Sequence, residues 1–245
     1  MPTAIGHVEA IFRYPVKSMA GERLEAAALG WHGLEGDRRL ALRRMEDHGG
    51  FPWLSASKLP ELLLFSPQRR EDGELPTHVR TPDGEALPIF GEELAAEVAR
   101  RHGAPVQMMH WRQGIFDEAS ISVIASDTVR EITRLAGRDP DVRRFRPNIL
   151  VRLLRPAPFQ EDEWVGGVLS FGDGDDAPAV AATMRDIRCS MVNLDPDSAG
   201  SAPEMLRTVV REHENTAGIY GTVTRTGRLV VGQAVFLDAA TGRPA

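Results

Sequence analysis

The stretch GIYGTVTRTGRLVVGQAVFL, residues 218–237, interleaves β-branched, small and polar residues and is punctuated by glycine. Ile219–Thr224 and Leu229–Leu237 read as strands, because Val, Ile, Thr and Tyr suit a pleated, half-buried surface. Gly218 and Gly221 flank Tyr220, and Thr226-Gly227 makes a tight turn into a last hairpin. The same grammar recurs upstream. Ile5–Arg13, Leu24–Leu29, Arg39–Met45 and Leu62–Ser66 are short runs bounded by Gly, Pro or acidic turn residues, and Asn148–Leu154 and Val168–Phe171 are further strands. The polar stretch Glu71–Asp83 carries two hairpin dipeptides, Asp72-Gly73 and Asp83-Gly84.

Helical spacing is confined to three places. In Glu92–Arg101, Leu94 and Val98 stand four apart and Gly103 follows as a stop. Thr128–Ala136 offers Val129, Ile132 and Leu135 as one face, with Ser126 or Asp127 as its cap. Ala202–His213 opens on Ser201-x-x-Glu204, a capping box, and turns Met205, Leu206, Val209 and Val210 inward. Many short strands with few helices predict a mainly β (α+β) fold, a barrel rather than a doubly wound parallel sheet. The helix at Glu92–Arg101 is the expected seam between two subdomains.

At 245 residues the chain has length for one large domain or two smaller ones, with a core that needs no disulfide staples. Its one cysteine, Cys189, cannot form an internal disulfide, and no basic segment followed by an apolar run marks a leader. No stretch is apolar enough for a membrane span. A cytoplasmic location is therefore expected, with no membrane partner. The net charge of −6 argues against nucleic acid as a partner. Lys17 and Lys58 are the only lysines, so nearly all positive charge is guanidinium.

Several chemistries lack their residues. His213-Glu214 has no second histidine four positions on, and one cysteine cannot build a zinc or iron–sulfur cluster. No nucleophile elbow, phosphate loop or dinucleotide fingerprint occurs. Gly172-Asp173-Gly174-Asp175-Asp176 lacks the remainder of a calcium loop and reads as a hairpin turn.

Three segments remain. Tyr14-Pro15-Val16-Lys17-Ser18 is followed by Gly33-Leu34-Glu35-Gly36-Asp37-Arg38. Arg143-Arg144-Phe145-Arg146-Pro147-Asn148 is dense in guanidinium groups, which suit bidentate recognition of phosphate. Phe145 and Ile149 predict an alternating strand there, with some arginines turned from the core. In Arg185-Asp186-Ile187-Arg188-Cys189 the thiol has Arg188 beside it and Arg185 four residues back. Neighbouring cations favour a thiolate, which is both a soft metal ligand and a nucleophile.

Together these segments resemble the MOSC proteins, the family of the molybdenum-cofactor sulfurase C-terminal domain. The resemblance is strongest to the two-domain group that includes the mitochondrial amidoxime-reducing component and its bacterial relatives. Tyr-Pro-Val-Lys-Ser at 14–18 and Gly-Leu-x-Gly-Asp-Arg at 33–38 match the N-terminal pattern. The rest is matched by Phe116 to Ser120, Arg-Phe-Arg-Pro-Asn at 144–148, Glu161-Asp162-Glu163-Trp164 and Arg-Cys at 188–189. Asp-Pro-Asp at 195–197, Gly218 to Tyr220 and Gly227–Val235 complete it.

The resemblance implies a MOSC-type β-barrel (residues 104–245) preceded by an N-terminal β-barrel subdomain (residues 1–103). It implies a molybdenum cofactor (molybdopterin), with Cys189 as metal ligand and catalytic centre. Glu118 stands where relatives often have an aspartate near the metal, and is the second catalytic candidate. Lys17, Ser18, Arg38, Ser120, Arg146, Asn148 and Arg188 are implied cofactor contacts. Neither lysine has a Schiff-base context, so pyridoxal phosphate is not expected. Some relatives carry a ferredoxin-like domain with four cysteines; this chain has no thiols for one. The implied activity is thus that of an oxidoreductase on an N-hydroxylated or similar small-molecule substrate, drawing electrons from a separate ferredoxin-type or haem protein. The alternative is a sulfur or cofactor carrier that uses a Cys189 persulfide.

Overall fold

The computed structural model describes residues 2–69, 73 and 75–239. The first half holds β1 (Thr3–Arg13), β2 (Glu22–Leu24), β3 (Ala26–Gly30), β4 (Gly33–Leu34) and β5 (Leu40–Arg44). Then come β6 (Ser66–Gln68), β7 (His78–Arg80), β8 (Ala86–Pro88), the helix α1 (Glu92–His102) and β9 (Val106–His110). The second half holds β10 (Ile121–Ala125), α2 (Ser126–Leu135), β11 (Ile149–Leu153), β12 (Val168–Phe171) and β13 (Ala179–Ile187). It ends with α3 (Glu204–His213), β14 (Thr216–Arg225), β15 (Gly227–Val230) and β16 (Ala234–Asp238).

Seven strands close a barrel in the order β11-β10-β14-β13-β12-β16-β1, with β1 pairing back onto β11. Pairing is antiparallel except between β10 and β11, which α2 connects as a crossover. Register shifts in β1, at Val8/Ala10 and Ala4/Gly6, provide the bends that closure requires. Inside lie Val8, Ile11, Ile121, Val123, Ile149, Val151, Trp164, Phe171, Val180, Ile219 and Val235. Alternate residues of the same strands, Ala10, Phe12, Ile124 and Leu150, face a second core under α2 and α3. That double burial explains why every residue of β10 is buried and all but Ser122 are apolar.

A smaller unit packs beside the barrel. Antiparallel β5–β9, the β6-β7-β8 sheet and α1 surround Leu42, Leu54, Leu62, Phe65, Val79, Leu94, Val98 and Met108. The mainly β prediction, with a barrel and few helices, is therefore realised.

Strands on either side of residue 103 pair with one another. β1 is a stave of the large barrel, β3 pairs with β15, and β9, beyond the expected seam, completes the smaller unit. Long-range pairing overrides chain order here. The last hairpin is also different: Leu229–Leu237 breaks into β15 and β16, which pair with β3 and with β12 and β1 rather than with each other. Leu62–Ser66 is mostly a 3-10 turn over Pro60–Leu64, because Leu62, Leu63 and Phe65 all enter one core and a strand would turn alternate residues out. The Gly172–Asp176 turn does join the antiparallel pair β12–β13, and Asp83-Gly84 joins β7 to β8. The expected Asp72-Gly73 turn involves Asp72, outside the described residues.

The helices fall close to their predicted bounds, and α1 ends on Gly103 at φ +83. Their caps differ. Ser126 and Asp127 lie within α2; buried Glu161 instead accepts from the Ala125 N–H at 3.2 Å and from Thr128 Oγ1 at 2.8 Å. The α3 capping box does not form, since Pro203 is the N-cap and Glu204 accepts from Arg138 Nε at 2.7 Å. Thr208 replaces Val210 on the buried face, leaving Val210 52% exposed.

Candidate functional site

Tyr14–Ser18 is where the chain leaves β1 and enters the smaller unit. The Lys17 N–H donates to Leu40 O, the Arg38 N–H to Tyr14 O, and the Tyr14 N–H to Asp37 Oδ1. These bonds lace the two N-terminal motifs together at the junction of the two cores. Asp37 is fully buried and also accepts from Arg38 Nη1 at 2.5 Å and Asn148 Nδ2 at 3.0 Å. Asn148 Oδ1 accepts from the Ser122 N–H at 3.1 Å.

The arginine-rich segment arrives from the other side. Val142–Arg144 is a 3-10 turn rather than the expected strand, anchored by Arg143 to Asp141 and Asp197 and by Arg144 to Asp195. Arg146 Nη1 donates to Met19 O at 2.8 Å, while Arg38 Nη2 donates to Arg146 O at 3.0 Å. The buried Tyr14 ring lies under both guanidinium groups, 4.9 Å from Arg38 and 4.1 Å from Arg146. Ser18, Arg38 and Arg146 all hold left-handed backbone, at φ +65, +49 and +49. For side chains with a Cβ this costs about 1 kcal/mol or more each.

These elements enclose a cavity of about 420 Å³. Lys17, Ser18, Arg38, Glu118, Arg146, Arg188 and Cys189 line it, so seven of the sequence-predicted residues converge although they span positions 17 to 189. Asn148 and Ser120 are not among its walls. Asn148 braces Asp37 from behind, whereas the Ser120 backbone lies against Gly33.

The MOSC domain profile matches residues 88–236, and that of the MOSC N-terminal beta barrel domain matches residues 5–128. The chain belongs to the MOSC family. That family is associated with the molybdenum cofactor. Among solved structures, YUAD protein from Bacillus subtilis is similar at TM-score 0.54 and 14% identity, over 98% of this chain and 100% of that one. YiiM from Geobacillus stearothermophilus reaches TM-score 0.38 at 16% identity, over 48% of this chain and 53% of that one. At these identities the YUAD likeness concerns the fold alone. No curated protein matches by sequence.

The MOSC cavity has two unlike sides. On the cationic side, Lys17 Nζ donates to Asp117 Oδ1 at 2.8 Å and lies 5.3 Å from the Phe51 ring. Burial pushes the Lys17 ammonium down, against the opposing pull of Asp117. Burial likewise brings the Arg146 guanidinium down to about 10, and Arg146 Nη2 has no hydrogen-bond partner among the described residues. A buried donor left open in this way fits an anionic group of a ligand. Glu118 is exposed at the rim, and its neighbour Asp117 is the acid that contacts a site cation.

On the thiol side, Cys189 is exposed just past the end of β13. The expected flank of cations does not surround its sulfur. Arg188 turns inward, its Nε donating to Ala217 O at 2.8 Å and its Nη1 to Phe145 O at 2.7 Å, with Nη2 2.8 Å from Asp186 Oδ2. Gly218, at φ +80, leaves the room this needs: a Cβ there would lie 3.2 Å from Arg188 Nη2 and 2.7 Å from Val123 O. Arg185 points to Asp162 and Glu214. Strand alternation explains both arginines, since Asp186 and Arg188 share the inner face while Ile187 is 61% exposed.

The same alternation exposes what the motif reading missed. Asp186 is 1% exposed and lines the cavity; its Oδ2 accepts from Ser122 Oγ at 2.9 Å and its Oδ1 has no partner among the described residues. Burial pushes its carboxyl up despite Arg188. Tyr220, also on the wall, is raised by burial and by Asp186. Ser55, Ser57 and Phe51 come from a loop without a motif. Reading 185–189 with strand period would have found Asp186. Nothing local in the sequence marks Phe51 or the two serines. Among the described residues, no group of three or more His, Cys, Asp or Glu side chains gathers as a separate metal site, and no helix is long and apolar enough to cross a membrane.

Proposed function

We propose that this cavity binds a molybdenum–pterin cofactor and that the protein is an oxidoreductase for N-hydroxylated or similar small molecules. The observation that carries the reading is the meeting of the chain's only thiol with Lys17, Arg38 and Arg146 in one cavity. The donor set suits the group. Cys189 Sγ is the soft ligand for the metal, and the open Nη2 of Arg146, with Arg38 and Lys17, suits the phosphate. Ser18 and Asp186 offer hydrogen-bonding atoms to the ring edges.

When bound, the cofactor supplies a metal that changes oxidation state. The residues around it bind and orient. Arg38 and Arg146 are fixed by Tyr14, Asp37 and backbone carbonyls before any ligand arrives, so little side-chain entropy is lost on binding. Asp186, raised by burial and open at Oδ1, is the group that holds or moves a proton beside the thiol. Glu118, at the rim, meets substrate rather than the buried edge of the cofactor.

A contact from a charged donor to phosphate contributes about 1.5–3 kcal/mol. Single changes Arg38→Ala or Arg146→Ala are therefore expected to weaken cofactor retention by about tenfold or more, read as pterin content after purification from a host that makes the cofactor. Full retention in both would reject the site. With no dinucleotide fingerprint and no thiols for a relay, the loaded protein is expected to reduce substrate only with a ferredoxin-type or haem donor, or an artificial one-electron donor. Sustained turnover with NADH or NADPH alone would contradict this. Retained cofactor with no turnover on any donor, together with a transferable Cys189 persulfide, would favour the carrier role.

A further inference from the structure

We propose that the protein has a second anion site, separate from the cysteine cavity, that takes a phosphate group. It is a cavity of about 500 Å³ between the turn at His32 and the segment after β9. His32, Glu35, Arg39, His110, Arg112 and Gln113 are its polar walls.

Arg39 carries the argument. It follows Arg38 directly, yet the two side chains line different cavities. Arg39 is 5% exposed, and its Nη1 is buried without a hydrogen-bond partner among the described residues. Its ion pair is a loose one, Nη2 lying 3.6 Å from Glu35 Oε2, and that carboxylate is 47% exposed. A buried guanidinium with an open donor is costly to keep unless something accepts from it. Around it stand Arg112, Gln113 and two imidazoles, so that among the described residues N–H donors outnumber the one carboxylate, Glu35.

The walls are held in place before ligand arrives. The Trp111 N–H donates to Arg39 O at 2.8 Å and the Ile115 N–H to Arg38 O at 2.8 Å, tying the loop with Arg112 and Gln113 to the start of β5.

The test titrates inorganic phosphate into the full-length protein by calorimetry, in wild type and in Arg146→Ala, where binding in the cysteine cavity is weakened about tenfold. Phosphate is expected to bind at millimolar concentration in both. Arg112→Ala, an exposed change that leaves the core alone, is expected to weaken this binding by about tenfold in either background. Arg39→Gln is expected to abolish it; if that variant does not fold, Arg112→Ala with His110→Ala decides. No phosphate binding in the Arg146→Ala background, or binding indifferent to Arg112, would overturn the site.

Discussion

The two sides of the cysteine cavity are built in opposite ways. The cationic side is buried and braced: Lys17, Arg38 and Arg146 are tied to Asp117, Asp37, Met19 O and the Tyr14 ring, and two of the three hold left-handed backbone. The thiol side is open: Cys189 is exposed, and the arginines nearest in sequence brace other parts of the barrel. In the proposed function that preorganisation serves recognition of an anion, while the exposed sulfur is left accessible for a metal, a substrate or a sulfur donor. Stability and ligand binding should therefore be coupled on the first side and separable on the second.

The largest effect is expected at Asp37, which joins the Tyr14 N–H, Arg38 and Asn148 in one buried network. Asp37→Ala leaves Arg38 buried without its carboxylate and is expected to cost about 3–5 kcal/mol in denaturant unfolding. Pterin retention is expected to fall with it. A loss confined to stability would show that the cationic side is merely structural.

A control away from both sides is Glu161, under the start of α2, whose carboxyl burial pushes up to about 7 from an ordinary 4.5. A folded-state value above the unfolded one means the native protein binds the extra proton. This group's contribution is greatest below about pH 4.5 and is lost as pH rises through about 7. The loss amounts to roughly 3 kcal/mol. Glu161→Gln is expected to flatten the stability profile between pH 5 and 8, measured by denaturant midpoints at each pH. An unchanged slope would contradict the assignment. Cofactor retention is expected to be indifferent to this change.

The smallest stability effect is expected on the thiol side. Cys189→Ser removes no buried contact, so thermal unfolding of the cofactor-free protein is expected to shift by less than about 0.5 kcal/mol. A large loss would place Cys189 in the fold rather than in the chemistry.

The sequence made the cations Lys17, Arg38, Arg146 and Arg188 of the cavity legible because three motifs supplied them, and the strand-rich pattern made the barrel legible as a class. What it hid was partnership. The apolar run of β1 says that it is a strand, but only pairing with β11 and β16 makes it a stave of the far barrel. Arg188 beside Cys189 looked like a neighbour of the thiol; the pleat sends it to Ala217 and Phe145 instead. Tyr14 lies under two guanidinium groups, and its contact with Arg146 spans more than a hundred residues.

The central claim is that Cys189 holds the metal while the opposite wall holds the phosphate. Molybdenum and pterin should be measured together, per mole of protein, in wild type and Cys189→Ser after expression in a host that makes the cofactor. The account predicts matched occupancy in wild type and loss of molybdenum in a folded Cys189→Ser protein. Full molybdenum in that variant would contradict it.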